Sequence, residues 1–225
     1  MPPSHFLMET AAAPRGARQH YTPGSILERS MSMEYPQQFI PPSAVPDARI
    51  PLLAHLVETY ASETSKTAGV WSELADAQLE FQPHARSSTV RQILVHQLLS
   101  ERRFFAEFIG LNEPAVDAVL PAGETPGVAA YTERLVSLAR QRLLPLAAGD
   151  ENFWLTSVPF FDVRRERIWV FWRRVLHTAH HRAQVGLCLR LLEARVPPTY
   201  GPTADVTWTG ADPTTTLDAA RRRGA

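Results

Sequence analysis

The stretch Arg165–Arg195, RERIWVFWRRVLHTAHHRAQVGLCLRLLEAR, decides how this chain is read. It holds no proline and a single glycine, Gly186, so the pattern predicts one long helix of roughly eight turns. At about 100° per residue, His177 and His181 differ by about 40° in azimuth and stand one turn apart. Two imidazoles so placed can chelate one divalent ion, but two do not complete a site. The third candidate ligand is His96, in another predicted helix. His180, three residues after His177, is the rival within the run, because that spacing also chelates.

Upstream, Thr89-Val-Arg-Gln92 fits a capping box and opens a second helix that ends at Gly110. Leu94, Leu98, Phe105 and Ile109 form its apolar face. His96 lies on a polar strip with Gln92, Ser100, Arg103 and Glu107, flanked by Ile93, Val95, Leu99 and Phe104. Such a strip is either a solvated face or one wall of a wet cavity, and periodicity leaves both open. An earlier helix is predicted from Ala48 to Ala68, capped by Asp47, with Leu52, Leu53, Leu56, Val57 and Tyr60 as its stripe. A third runs from Pro126, capped by Thr125, to Ala147, with Leu135, Val136, Leu138 and Leu143 in the core. Between it and the last helix, Asp150–Val163 carries Phe153, Trp154, Phe160 and Phe161, too aromatic for a bare loop. An extended turn packed across the helices is expected there, its aromatics serving the core first and a pocket wall second. Pro197-Pro198 is the expected stop of the long helix.

Composition narrows the function. Lys and Arg number 23 against 23 Asp and Glu, so no broad basic field exists to neutralise phosphates, and nucleic acid is not the expected partner. Cys188 is the only cysteine, which excludes an intramolecular disulfide. No apolar run approaches the ~18 residues of a membrane span, and the first thirty residues lack a signal-peptide core of about 7–15 apolar residues. The cytoplasm is the default location. Residues 1–46 read as a disordered extension in which Met31 and Met33 would serve as start sites as well as Met1. Residues 47–212 form the folded domain, and 213–225 a flexible tail with its Arg221–Arg223 cluster.

The run His177-Thr-Ala-His-His181-Arg182-Ala-Gln184, followed by Cys188-Leu-Arg190 and by the segment from Pro197 to Asp205, resembles the DinB family. These are damage-inducible metalloproteins related to bacillithiol- and mycothiol-dependent S-transferases. Thr89–Glu107 resembles the family's second helix with its single metal histidine, and the likeness covers roughly Ala48 to Asp212. It implies an all-α, up-and-down four-helix bundle with a three-histidine site holding zinc or nickel plus water. It selects His181 over His180 and turns the His96 strip toward a cavity. Ala183 departs from the glycine often found after the family's His-Arg pair.

Three protein ligands and an open position are a catalytic arrangement. Gln184, about one turn past His181, is placed to orient a ligand imidazole, and Arg173, one turn before His177, to receive a carboxylate. Glu101 and Glu107 are the candidate acid/base groups. Cys188 lies about 10 Å along the axis from His181, too far to be a ligand, and reads as a small buried apolar residue. The resemblance implies a metal-dependent enzyme acting on a small molecule, a thiol S-transferase or isomerase with a low-molecular-weight thiol as cosubstrate. The alternatives are a non-catalytic metal-binding stress-response protein and a metal-dependent hydrolase with Glu101 as base. Trp169, Phe171 and Trp172 are expected in the core, with part of them at a homodimer interface.

Overall fold

The computed structural model describes residues 38–206 and 215–221; the start-site question falls outside the described residues. Most of the described chain is helical, with one small antiparallel sheet. Helix α1 (Ala54–Ser72) begins at Ala54 rather than Ala48. Pro51 is the reason: it holds Ile50 in extended backbone (φ −109°, ψ 108°), which a helix cannot cross. A 3-10 turn at Pro51–Leu53 leads in instead, so Asp47 caps nothing and Leu52 is 82% exposed. At its other end α1 runs through Gly69, because burying Val70 and Trp71 at about 1.5–3 kcal/mol each outweighs the ~1 kcal/mol cost of an internal glycine.

Helix α2 (Val90–Arg103) opens with the expected reciprocal cap. Thr89 Oγ1 accepts from Gln92 N at 3.2 Å, and Gln92 Oε1 accepts from Thr89 N at 2.9 Å. A π-helical turn, Phe104–Ile109, continues it and buries Phe104, Phe105, Phe108 and Ile109. Gly110 ends the run in the left-handed region (φ 83°). Helix α3 (Val128–Ala147) starts at Val128, not Pro126, and Thr125 is not its cap. Its first turn is satisfied from a distance: Asp76 Oδ1 accepts from Val128 N at 2.7 Å. Gly127 permits that approach, since a Cβ there would lie 2.5 Å from the Asp76 carboxylate.

The aromatic segment is more structured than a turn. Asp150 caps a short helix, α4 (Glu151–Leu155), accepting from Phe153 N at 2.8 Å. Strands β1 (Ser157–Phe160) and β2 (Val163–Glu166) then form a hairpin closed by Phe161 and Asp162, with Phe160 opposite Val163. Helix α5 (Arg167–Leu191) therefore begins after Glu166, because Arg165 and Glu166 are paired in β2. It ends before Pro197-Pro198, where Glu193 turns left-handed (φ 56°) and Ala194 N reaches Leu189 O at 2.9 Å.

Helix α1 packs on α3 and α5, α2 packs on α5, and α4 with the hairpin covers the start of α5. Leu56, Trp71, Leu94, Leu98, Phe105, Leu135, Leu138, Trp154 and Phe171 are buried where these elements meet. The sheet corrects the all-α expectation. Two terminal expectations also change. Residues 38–46, read as disordered, are held down by Ile40, which is buried and donates its N–H to Ser65 Oγ at 3.1 Å. The tail carries a short helix, α6 (Leu217–Arg221). Among the described residues no helix is long and apolar enough to cross a membrane.

Candidate metal centre

Helices α2 and α5 lie side by side and bring His96, His177 and His181 together. One ring nitrogen from each falls within 4.8 Å of the other two. His177 Nε2 and His181 Nε2 are 3.2 Å apart. An ion with tetrahedral Zn–N bonds of about 2.0–2.1 Å sets its nitrogens about 3.3 Å apart, which the His177–His181 pair matches, and the three histidines together could hold an ion. His180 is exposed and lies outside the group. Gln184 behaves as its spacing predicts: His181 Nδ1 donates to Gln184 Oε1 at 2.7 Å, which leaves Nε2 as the lone-pair nitrogen. Phe104 stacks along His177 (6.1 Å, 20°), held there by the π-helical turn.

The sequence model of the DinB family matches residues 47–212. The chain belongs to the DinB family. The chain is similar in fold to a DinB-like protein from Bacillus cereus ATCC 10987, with a TM-score of 0.51 and 18% identity, over 64% of this chain and 95% of the other. A DinB-like protein from Bacillus subtilis aligns with a TM-score of 0.47 and 14% identity, over 65% and 97% of the two chains. No curated protein matches the sequence.

In this DinB family member His96 and His177 open onto a groove of about 540 Å³ that Leu99, Ser100, Arg103, Phe104, Phe160, Phe161 and Arg173 also line. Hollows of about 470 and 920 Å³ elsewhere on the surface carry neither histidine nor cysteine in their linings. The polar strip of α2 thus answers to both readings: Gln92, His96 and Glu107 face solvent, while His96, Ser100 and Arg103 border the groove.

Arg174 is the residue the sequence reading passed over, though it stands three residues before His177, within reach on one helix face. It is 1% exposed and donates to His177 Nδ1 (3.0 Å), Ser100 Oγ (2.9 Å) and Gln97 Oε1 (3.0 Å). Burial pushes its guanidinium down to about 10, with Glu101 opposing. Because Arg174 donates to Nδ1, a neutral His177 carries its proton on Nε2, toward His181 Nε2; an ion held at Nε2 would require that proton on Nδ1 and the Arg174 bond given up. Burial, then Arg174 and the two neighbouring imidazoles, pushes His177 down to about 3. His96 is lowered by burial and by Arg174. Burial also lowers His181, against the bond to Gln184. All three therefore stand neutral, the state a ligand needs.

Arg173 lines the groove as expected, exposed and without a hydrogen bond or ion pair among the described residues. Glu101 does not reach the groove. It is 3% exposed, accepts from Tyr60 Oη (2.6 Å) and pairs with Arg142 (3.1 Å), and its one link to the histidines runs through Arg174 at 3.7 Å. Glu107 is exposed and paired with Arg103 at 2.9 Å. Cys188 is buried, and burial pushes its thiol up. Of the aromatics expected in the core, Phe171 is buried, whereas Trp169 is 41% exposed.

Proposed function

We propose that this protein is a divalent-metal enzyme of the thiol S-transferase or isomerase type, acting on a small molecule, with His96, His177 and His181 as the ligands and zinc or nickel as the ion. The convergence of three neutral imidazoles beside an open groove carries the reading. When bound, the ion supplies Lewis acidity that acidifies a thiol presented at its open side. The chain's own residues do the rest. Gln184 fixes the tautomer and direction of His181. Phe104 holds the His177 ring along its face. Arg173 anchors a carboxylate of the cosubstrate or substrate. The aromatic lining of Phe104, Phe160 and Phe161 thins the water around the reacting groups.

The absence of any carboxylate from the groove lining among the described residues favours thiol chemistry over hydrolysis, because water attack calls for a base that Glu101 is too deep to be. A non-catalytic metal-binding role is the second reading, favoured by the same three histidines taken without the groove. In keeping with the family, we read the long helices as an up-and-down four-helix bundle spanning residues 47–212, and the protein as a cytoplasmic homodimer. Elemental analysis by mass spectrometry on untagged protein tests the centre. About one ion per chain is expected in the wild type and almost none in His177→Ala or His181→Ala. A wild type that stays metal-free after reconstitution with zinc and with nickel would sink the reading.

A further inference from the structure

The hairpin tip carries a residue that folding alone does not favour. Phe161 is the first residue of the two-residue turn between β1 and β2 and sits at φ 52°, in the left-handed region that glycine and asparagine enter readily. It is also 63% exposed. Backbone outliers of this kind gather where proteins hold ligands. The ring has a fixed seat: it meets Phe160 at 4.8 Å and Phe108 at 5.3 Å, and the Arg103 guanidinium stands 5.4 Å from its centroid. With Phe104 and Phe160 it makes the apolar part of the histidine groove.

Beyond Leu99 and Ser100, the rest of the lining is two histidines and two arginines. Arg103 and Arg173 both border the groove, and among the described residues no Asp or Glu does. Arg173 is free of partners among the described residues. Arg103 has only Glu107, in an exposed pair of the kind that exchanges easily. A cationic ligand is repelled there, and a neutral polyol leaves both guanidinium groups unmatched and the aromatic wall uncovered. A bare inorganic anion also leaves the wall uncovered. The volume suits a ligand of drug-like size.

We infer that the groove binds a small organic carboxylate with a flat apolar body, the carboxylate on Arg173 with Arg103 beside it and the body on Phe161 and Phe160. This names the substrate class of the proposed enzyme and depends on that reading only for calling the ligand a substrate.

Calorimetric titration of the full chain, as purified, with 2-naphthoate, the neutral 2-naphthamide and inorganic phosphate tests it, with metal content measured on the same preparation. Naphthoate is expected to bind about ten-fold tighter than the amide and not to be displaced by equimolar phosphate. Arg173→Met weakens it about ten-fold. Phe161→Gly weakens it several-fold while the thermal midpoint holds or rises, because glycine suits the turn. Equal binding of acid and amide overturns the inference, as do displacement by phosphate, unchanged affinity in both variants, or no saturable binding at all. So does a Phe161→Gly variant that dissociates a dimer and leaves naphthoate binding unchanged. A preparation that stays without metal after reconstitution with zinc and with nickel, yet still prefers naphthoate over the amide, breaks the metal reading and leaves this one standing.

Discussion

Two charge clusters share α2 and α5, and only one of them is balanced. In the interior, Glu101 meets Tyr60 and Arg142, and Arg142 forks onto Glu113 at 2.7 and 2.5 Å. Burial alone would lower the Arg142 guanidinium, but Tyr60, Glu113 and Glu101 outweigh it and raise it. Nearby, Glu63 is clasped by Arg182, Tyr200 and Lys66, which hold its carboxyl below the usual range against the upward push of burial. At the groove, two imidazoles and two arginines gather, with His181 beside them and no carboxylate in the lining among the described residues. Arg174 belongs to both clusters, 3.7 Å from Glu101 and 3.0 Å from His177. The chain matches buried charge where it holds helices together and leaves positive charge unmatched where a ligand arrives.

The largest test of that contrast is Glu101→Ala. It leaves Arg142 with Glu113 alone and Arg174 with no carboxylate, and should cost about 3–5 kcal/mol in urea denaturation, as breaking a buried pair does. A cost below about 1 kcal/mol would mean that Glu101 is not structural, and would reopen its role at the site. Next, Gln184→Leu should weaken metal binding about 10–100-fold in chelator competition while shifting stability by no more than about 0.5 kcal/mol. Equal damage to affinity and stability would erase the distinction between the two clusters.

The smallest effect concerns pH. His177 titrates near 3 in the fold against the ordinary imidazole value of 6.5, so below 6.5 the unfolded chain binds the extra proton. Its contribution to stability is fully present above pH 6.5 and is lost as pH falls toward 3. For a partly exposed ring the contribution comes to about 1 kcal/mol after solvent screening. His177→Gln should flatten the stability curve of the metal-free protein across that window, with denaturation midpoints at several pH values as the readout. An unaltered slope would place the acid sensitivity in the interior carboxylates instead.

Much of the centre was legible because helical spacing is local information. The pair His177 and His181, the bond from His181 to Gln184 and the Thr89 cap with Gln92 all follow from positions three or four apart on one helix. The inward aim of Glu101 was legible too: five residues at about 100° each put it about 140° around α2 from His96, toward the apolar face. What no local pattern held were the contacts between distant segments. Asp76 caps α3 from the far side of α2 in sequence. Strand pairing takes Arg165 and Glu166 out of the long helix.

By itself, then, the sequence determined that four long helices form, which face of each is apolar, and that two imidazoles on α5 stand one turn apart. These follow from backbone geometry and the period of about 3.6 residues. Only the tertiary structure decided that His96 completes the group, that Glu101 serves Arg142 and Tyr60, and that Phe161 and Arg173 share a groove. Each of these joins side chains dozens of residues or more apart in the chain or carried on separate elements, and packing alone sets which of the compatible neighbours meet.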